Sequence, residues 1–557
     1  MKILKHFTCI IICCITLFFM RCTQVQEKTS SLPFLQQHEQ ATRLMVDGKP
    51  YLVLGGELHN SSSSSPEYMK DFWPLLKQAG LNTVLAVVSW DLIEPEEGRY
   101  DFSLVDSLLR DARKHDLRLI LLWFGSWKNG QSHYIPEWVK KDYKRFPRVK
   151  AANGKSLEIL TPVSTETRDA DTRAYTAFMR HLKEVDSKHH TVIMIQIQNE
   201  VGILGDSRDR GDKANELFHS AVPETLMSWL KENEESLFSE LLETWHAAGK
   251  KDAGAWEEVF GQGPATDELF MAWHYASFIN AMAAAGKAEY PLPVFVNAWI
   301  VQPEDKLPGD YPSGGPQAHV HDIWQAAAPD IDILAPDIYL PDFPGISRQY
   351  MRHGNPLFVP ESFAGEPGAA NAFYAFGQLN AIGYSPFGIE NRIDDFENGI
   401  IPRTYKVLAN IAHLILENQG KGTIAAVSLS KENPSDTIRL GDYLLEAELM
   451  KTFRSDVVPE LGYGLFISTG DDEYYIAGNN IQVSFTALTP GPKITGLASV
   501  EEGRFVDDQW VRRRKLNGDD IMINYRLAEM AAMDKTGTTV RLPNGPTIRK
   551  VRLYRYE

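Results

Sequence analysis

Short apolar runs of strand length recur between residues 51 and 390, separated by polar and amphipathic stretches. They fall at 51–58, 83–90, 117–125, 191–200, 293–299, 332–339, 356–362 and 383–390. Between most of them, apolar residues recur at the three- to four-residue spacing of a helix, as in 103–116 and 172–188. The stretch 65–80 opens on Ser65-Pro66, a cap followed by a first-turn proline, and closes on Gly80. Eight strands alternating with helices predict an α/β fold, a (β/α)8 TIM barrel. An open doubly wound sheet is the alternative, but no Gly-rich phosphate loop follows the first strand.

The fourth run, TVIMIQIQNE (191–200), shows how such a strand serves a site. Alternate residues of a strand face opposite ways. Ile193, Ile195 and Ile197 would therefore pack on helices, while Met194, Gln196, Gln198 and Glu200 share the other face. The polar face leads to a carboxylate at the strand's carboxyl end. Other strand ends are similarly rich in polar and aromatic groups: Glu57 to Asn60, Trp90-Asp91, Trp123 to Trp127, Asn297 to Trp299, Asp337 to Tyr339, Glu361 and Glu390. In a barrel these ends converge on one face, where active sites lie.

The interval 201–292 is too long for one helix and is expected to build a wall of that face. Within it, 224–249 and 267–290 read as helices; in the later interval 301–332, residues 307–322 (LPGDYPSGGPQAHVHD) read as a Pro/Gly-rich loop on the same face. After 405–420, expected to be the last barrel helix, the texture changes to alternating runs, with turn signals such as Asn544-Gly545. Residues 423–557 are therefore read as a smaller β-rich, β-sandwich-like domain, and 41–422 as the barrel, which opens on a hairpin turn at Asp47-Gly48.

The amino terminus has a different character. Lys2 and Lys5 precede an apolar run from about residue 7 to 20, the pattern of an export signal. All four cysteines, Cys9, Cys13, Cys14 and Cys22, lie there. Cys22 follows the run and precedes a polar stretch, which resembles a bacterial lipoprotein signal. Residues 1–22 are read as that signal, 23–40 as a tether and Cys22 as the lipidated residue, giving an exported, membrane-anchored protein facing the periplasm or cell surface. Arg21 departs from the small residue that usually precedes such a cysteine, and an uncleaved anchor is the alternative. On this reading the mature domain has no disulfide, thiol catalysis or cysteine metal site. A formal net charge of −16 argues against a nucleic-acid partner, which requires a basic face.

Two strand-end carboxylates, Glu200 on strand four and Glu361 on strand seven, stand across the barrel mouth. A retaining glycosidase needs such a pair, one carboxylic acid to protonate the leaving oxygen and one carboxylate to attack the anomeric carbon. Acidic residues end barrel strands for other reasons too, so spacing alone leaves the pairing open. His319-x-His321-Asp322 has the spacing of metal ligands, but no partner cluster is evident, and no metal or other cofactor is expected. His189-His190 precedes strand four, at the stability face of a barrel.

IQNE (197–200) with PES (360–362) resembles the glycoside hydrolases that carry catalytic glutamates on strands four and seven. The chain is most similar among them to glycoside hydrolase family 35, the β-galactosidases. GGELHNSS (55–62), FWPLLKQAGLNTV (72–84) and SWDLIEPEEGRYDF (89–102) carry that likeness, with Trp90, Glu94, Pro95, Gly98, Tyr100 and Phe102 at the family spacing. The resemblance covers residues 40–420, and the β-rich remainder resembles the accessory domain of a bacterial branch. GGELHN departs from the family's Gly-Gly-x-x-His-Tyr opening, which puts the shape of the non-reducing-end pocket in question.

The resemblance implies that Glu200 is the general acid/base and Glu361 the nucleophile. Asn199 would bond the sugar 2-hydroxyl, Tyr339 would donate to the nucleophile, and Asn297 and Trp299 would meet the sugar. Asn199 and Glu200 are neighbours, so both can enter the pocket only if the strand tip bulges or bends. Either Trp123 or Trp127 is core and the other, taken as Trp127, a platform for a neighbouring sugar. Glu57 is a sugar contact or a loop bond; Gln196 and Gln198 are barrel-interior hydrogen-bonders; Glu390 is a hydroxyl contact or a solvated loop residue. The implied activity is exo-acting, retaining release of terminal β-galactose from plant polysaccharide-derived oligosaccharides, xyloglucan-like among them. Another β-glycoside specificity is the alternative, and a non-catalytic carbohydrate-binding barrel is disfavoured because both glutamates are present. The β-rich domain is read as a brace in preference to a sugar-binding module.

Overall fold

The computed structural model describes residues 31–450, 458–517, 539–543 and 545–557. Cys22 and the export segment lie outside them, as does Asn544. Asp47 and Gly48, at φ 52° and 72°, join strands Ala41–Val46 and Lys49–Tyr51 in a tight hairpin. The expected tether is shorter than 23–40, because Phe34–His38 pairs antiparallel with Ala41–Val46 as a third strand. Leu44 and Val46 of this small sheet pack with Val53, Leu85, Ile120, Ile193 and Phe295 inside the barrel. Apolar side chains thus close the end of the barrel opposite the strands' carboxyl ends.

Eight parallel strands form the barrel: Val53–Glu57, Thr83–Ser89, Arg118–Lys128, Val192–Asn199, Val294–Trp299, Ile333–Asp337, Phe358–Val359 and Gly383–Tyr384. They neighbour one another in chain order, and the eighth lies beside the first. A parallel bridge between Ile338 and Ser362 joins strands six and seven and closes the ring. Strand four departs from simple alternation. The register with strand three slips so that Leu119 faces Val192 and Ile120 faces Met194. Ile193 is the extra residue and joins Met194 in the barrel interior, whereas Ile195 and Ile197 pack on the helix side as expected.

Five α-helices and one short 3-10 turn fill the interval between strands four and five, the longest helix spanning Pro264–Glu289. The single helix expected over 224–249 is two, Glu224–Glu232 and Ser239–Ala247. The break has a tertiary cause: the Phe238 N–H donates to the buried Asp322 carboxylate at 2.7 Å, which draws the chain out of its helical course. The last barrel helix, Ile400–Asn418, begins before the expected residue 405.

From Ile424 the chain forms a six-stranded and a four-stranded antiparallel sheet around a shared core that includes Val427, Leu445, Phe466, Ile476 and Val551. Strands Val540–Leu542 and Thr547–Tyr556 belong to different sheets. Tyr474 and Tyr475, which look exposed in the sequence, are buried. Tyr474 donates to Leu440 O within the sandwich, and Tyr475 packs on Phe505 and Trp510. The Asn410 side chain on the last barrel helix exchanges hydrogen bonds with the Phe505 backbone at 2.8 Å in both directions. Tyr475, Phe505 and Trp510 therefore pack against the barrel, whereas Tyr554 and Tyr556 stack on each other at the surface. No helix among the described residues is long and apolar enough to cross a membrane.

Candidate active site

Strand four ends in two left-handed residues, Gln198 at φ 63° and Glu200 at φ 43°, with Asn199 between them. This is the bend that the adjacency of Asn199 and Glu200 demands. Left-handed backbone costs a non-glycine residue of order 1–3 kcal/mol, and surrounding hydrogen bonds hold it there. Gln198 is turned out of the barrel: its amide oxygen accepts from Trp127 N (3.0 Å) and its NH2 donates to Asp171 (2.7 Å). Only Gln196 remains on the interior face, donating to Gln198 O.

Asp171, from the helix Thr165–Asp186, ties strand three to the same point. It accepts from Trp123 Nε1, from the Ser126 N–H and hydroxyl, and from Gln198. Its full burial raises its pKa, an effect these donors counteract. Gly125 is required here because a Cβ would lie 2.6 Å from both Asp171 oxygens. Trp127 is no sugar platform. It is fully buried, donates to Leu160 O and meets Tyr275 and Phe278 edge-on, and Trp123 is equally buried. Both are core because Gln198 and Asp171 pull this segment toward the helix layer.

Glu200 and Glu361 meet inside the mouth. One carboxylate oxygen from each, and one from Asp337, lie within 4.8 Å of one another. Glu200 accepts from Asn129 Nδ2 at 2.7 Å, and its backbone N–H donates to Asn297 Oδ1 at 3.1 Å. Glu361 receives Asn199 Nδ2 at 3.3 Å, Asn297 Nδ2 at 3.4 Å and the Tyr339 hydroxyl at 3.1 Å. Asn297 also donates to Asp337 at 2.7 Å, so it links three of the acidic groups. Trp299 is half-buried at the tip of strand five, its carbonyl accepting from Gln317. Glu57 is fully buried at the tip of strand one. When it is ionised neither of its oxygens has a donor, and when protonated it donates to Glu361.

Electrostatics sets these groups apart. Burial, then repulsion from Glu361, pushes Glu200 up to about 7, against the pull of Lys128 and a hydrogen bond with Asp337. Asp337 and Glu57 are raised well above the carboxylate range, chiefly by burial and then by Glu361. Tyr339 is likewise raised, so it stays a donor. Lys128 is the cation among them. Burial opposes its charge, but Glu361, Glu200, Glu57 and Asp337 outweigh that and raise its pKa.

Lys128 and Asn129, in the polar step directly after Trp127, carry no role in the sequence reading, and neither does Asp337. A lysine ending an apolar strand was the available signal. Glu390 is not solvated: its Oε1 accepts from His59 N and the Ser62 hydroxyl, anchoring the loop after strand one. Glu94 likewise braces a turn, accepting from Trp90 Nε1 and Gly98 N. His319 bonds Glu268, Asp322 bonds His353, and His190 bonds Asp47 at the opposite face. Glu200, Asp337 and Glu361 are the one cluster among the described residues with metal-site spacing, and Lys128 already supplies positive charge to it.

Residues 60–280 match the family described as "Beta-galactosidase" (Glyco_hydro_42). Over that stretch the barrel is similar to β-galactosidase glycoside hydrolases. Residues 401–527 match a domain of unknown function, DUF5597. Among curated β-galactosidases, "Beta-galactosidase 8" of Oryza sativa subsp. japonica is 30% identical over 166 residues, 29% of this chain and 23% of that one. A β-galactosidase of Xanthomonas manihotis is 38% identical over 85 residues, 15% of this chain and 14% of that one. A "Beta-1,2-glucosyltransferase" of Ignavibacterium album is 23% identical over 187 residues, 30% of this chain and 25% of that one. The matches thus span a quarter or less of these relatives' lengths. A solved β-galactosidase from Rahnella sp. R3 aligns at TM-score 0.44 and 18% identity, over 67% of this chain and 57% of that one.

Proposed function

We propose that this protein is an exo-acting, retaining β-galactosidase of the family 35 kind. It would release terminal β-galactose from plant polysaccharide-derived oligosaccharides, xyloglucan-like chains among them. The observation that carries the mechanism is the pair of carboxylate oxygens on strands four and seven within 4.8 Å. That spacing suits double displacement, for which carboxyl groups stand about 5–5.5 Å apart, and is too short for the intervening water of inversion at about 6.5–9.5 Å.

In the first step a Glu361 oxygen attacks the anomeric carbon while the glycosidic C–O bond breaks and Glu200 gives its proton to the leaving oxygen. In the second, water attacks the same carbon, its proton passes to Glu200, and the bonding pair returns to Glu361. Burial keeps Glu200 protonated up to about pH 7, as the first step needs. Asn199 is aimed beside Glu361, where it would hold the 2-hydroxyl, and Tyr339 steadies the nucleophile.

A retaining β-glycosidase with another sugar specificity is the second reading. The GGELHN opening and the partial match to a protein named a glucosyltransferase favour it. Hydrolysis of a panel of aryl β-glycosides decides between them. Turnover of the galactoside above all others is expected; turnover of a different glycoside alone would keep the mechanism and discard the galactosidase. We further propose anchoring through a lipidated Cys22. Cys22→Ser is expected to move the protein from the membrane to the soluble fraction, and unchanged membrane retention would refute the anchor.

A further inference from the structure

Lys128 is the feature of the site that the two-glutamate mechanism leaves unexplained. It ends strand three, is almost fully buried, and donates to Asn199 Oδ1 at 2.8 Å with its Nζ 5.1 Å from the Phe124 ring. The charged and titratable groups around it come from every neighbouring element: Glu57 of strand one, Glu200 after strand four, Asp337 of strand six, Glu361 after strand seven, and the Tyr134 phenol from its own connection. A buried ammonium costs stability unless several opposite charges face it, so one placed here serves the carboxyls.

We propose that Lys128 is the positioning residue of the second half-reaction: it orients Asn199 and is the counter-charge that lets Glu200 act as a base once Glu361 carries the sugar. The inference rests on the retaining reading above. Before reaction, Glu200 feels both Glu361, which disfavours its ionisation, and Lys128, which favours it. Esterification of Glu361 removes the first influence and leaves the second. Glu200 then accepts the proton of the attacking water, the new C–O bond forms, and the ester bond breaks with its electron pair returning to Glu361. In the first half-reaction Glu200 must instead hold a proton, which Lys128 opposes and burial and Glu361 secure. The same ammonium occupies Asn199 Oδ1, which leaves the Asn199 NH2 directed at Glu361 and the 2-hydroxyl position.

The two half-reactions separate with a dinitrophenyl β-glycoside of whichever sugar the wild type accepts, since its leaving group needs no acid. Lys128→Met is expected to lower kcat about tenfold with kcat/KM within about threefold, so that KM falls, a burst of dinitrophenolate appears, and azide, which carries no proton to remove, restores kcat. The basic limb of kcat/KM for a poor leaving group should move up by about one pH unit, because a cation favouring Glu200 ionisation is gone. Lys128→Arg keeps the charge and should keep the wild-type behaviour; Lys128→Gln gives the same readouts if Lys128→Met does not fold. Equal losses in kcat and kcat/KM, with no burst and an unmoved basic limb, would overturn the inference while leaving the hydrolase intact. A wild type that turns over no glycoside would instead remove the retaining reading on which it rests.

Discussion

Glu361→Ala is expected to lower turnover of an aryl β-galactoside by on the order of 10⁴-fold or more, the scale of removing a covalent nucleophile. The loss follows from geometry rather than fold. Glu361 faces Asn199, Asn297 and Tyr339, so the donors that would steady its charge remain once it is gone. The shortened side chain leaves room for a small anion on the same face of the sugar. Added azide should therefore restore turnover, and the product should be the α-glycosyl azide, formed by a single inversion. A β-configured azide, or no rescue with the fold intact, would show that Glu361 is not the attacking group. Product configuration, read by NMR, makes the test independent of how far the rate falls.

Glu200→Gln should cost activity and gain stability together. Loss of the proton donor is expected to slow cleavage of poor leaving groups by about 10²–10⁴-fold, with dinitrophenyl substrates spared in the first step. The basic limb of kcat/KM near pH 7 should disappear with the titrating group. The stability effect has a definite sign. Folded Glu200 binds its proton more tightly than the unfolded chain does, with a pKa of about 7 against a usual 4.5. Stability relative to a neutral side chain is therefore complete below about pH 4.5 and is lost as pH rises through 7. The full shift corresponds to about 3 kcal/mol, at roughly 1.4 kcal/mol per pH unit, and neighbouring carboxyls that take up protons reduce it. Urea midpoints for wild type and Glu200→Gln should coincide at pH 4 and diverge progressively to pH 8. A constant difference across that range would assign the effect to packing instead of charge. Such a gain on disarming a site is the usual trade of stability for function.

Hairpin, barrel and strand ends differ in how far the sequence announced them. Asp47-Gly48 specifies its turn by itself, since both residues tolerate positive φ. The alternation of strand four predicts which side Ile195 and Ile197 take, but not the extra residue at Ile193 that shifts the parity before them. Glu390 and Trp127 show the opposite limit. Each lies at a strand end in the sequence, yet one is tied to the loop after strand one and the other packs under the long helix after strand four. Partners so remote in sequence leave no local trace.

The sequence by itself determined the eight-strand alternation, the change of texture near residue 423, and the strand-end positions of Glu200 and Glu361. Periodicity and strand ends are local properties that a few neighbouring residues dictate. Tertiary structure alone decided what surrounds those glutamates: Lys128 at the end of strand three and Asn129 just after it, Glu57 from strand one, and Asp337 from strand six. Their effect on Glu200 depends on burial and on distances of a few ångströms between strands far apart in the chain. Charges interact strongly there because the closed barrel excludes water, and that exclusion exists only once the ring has formed.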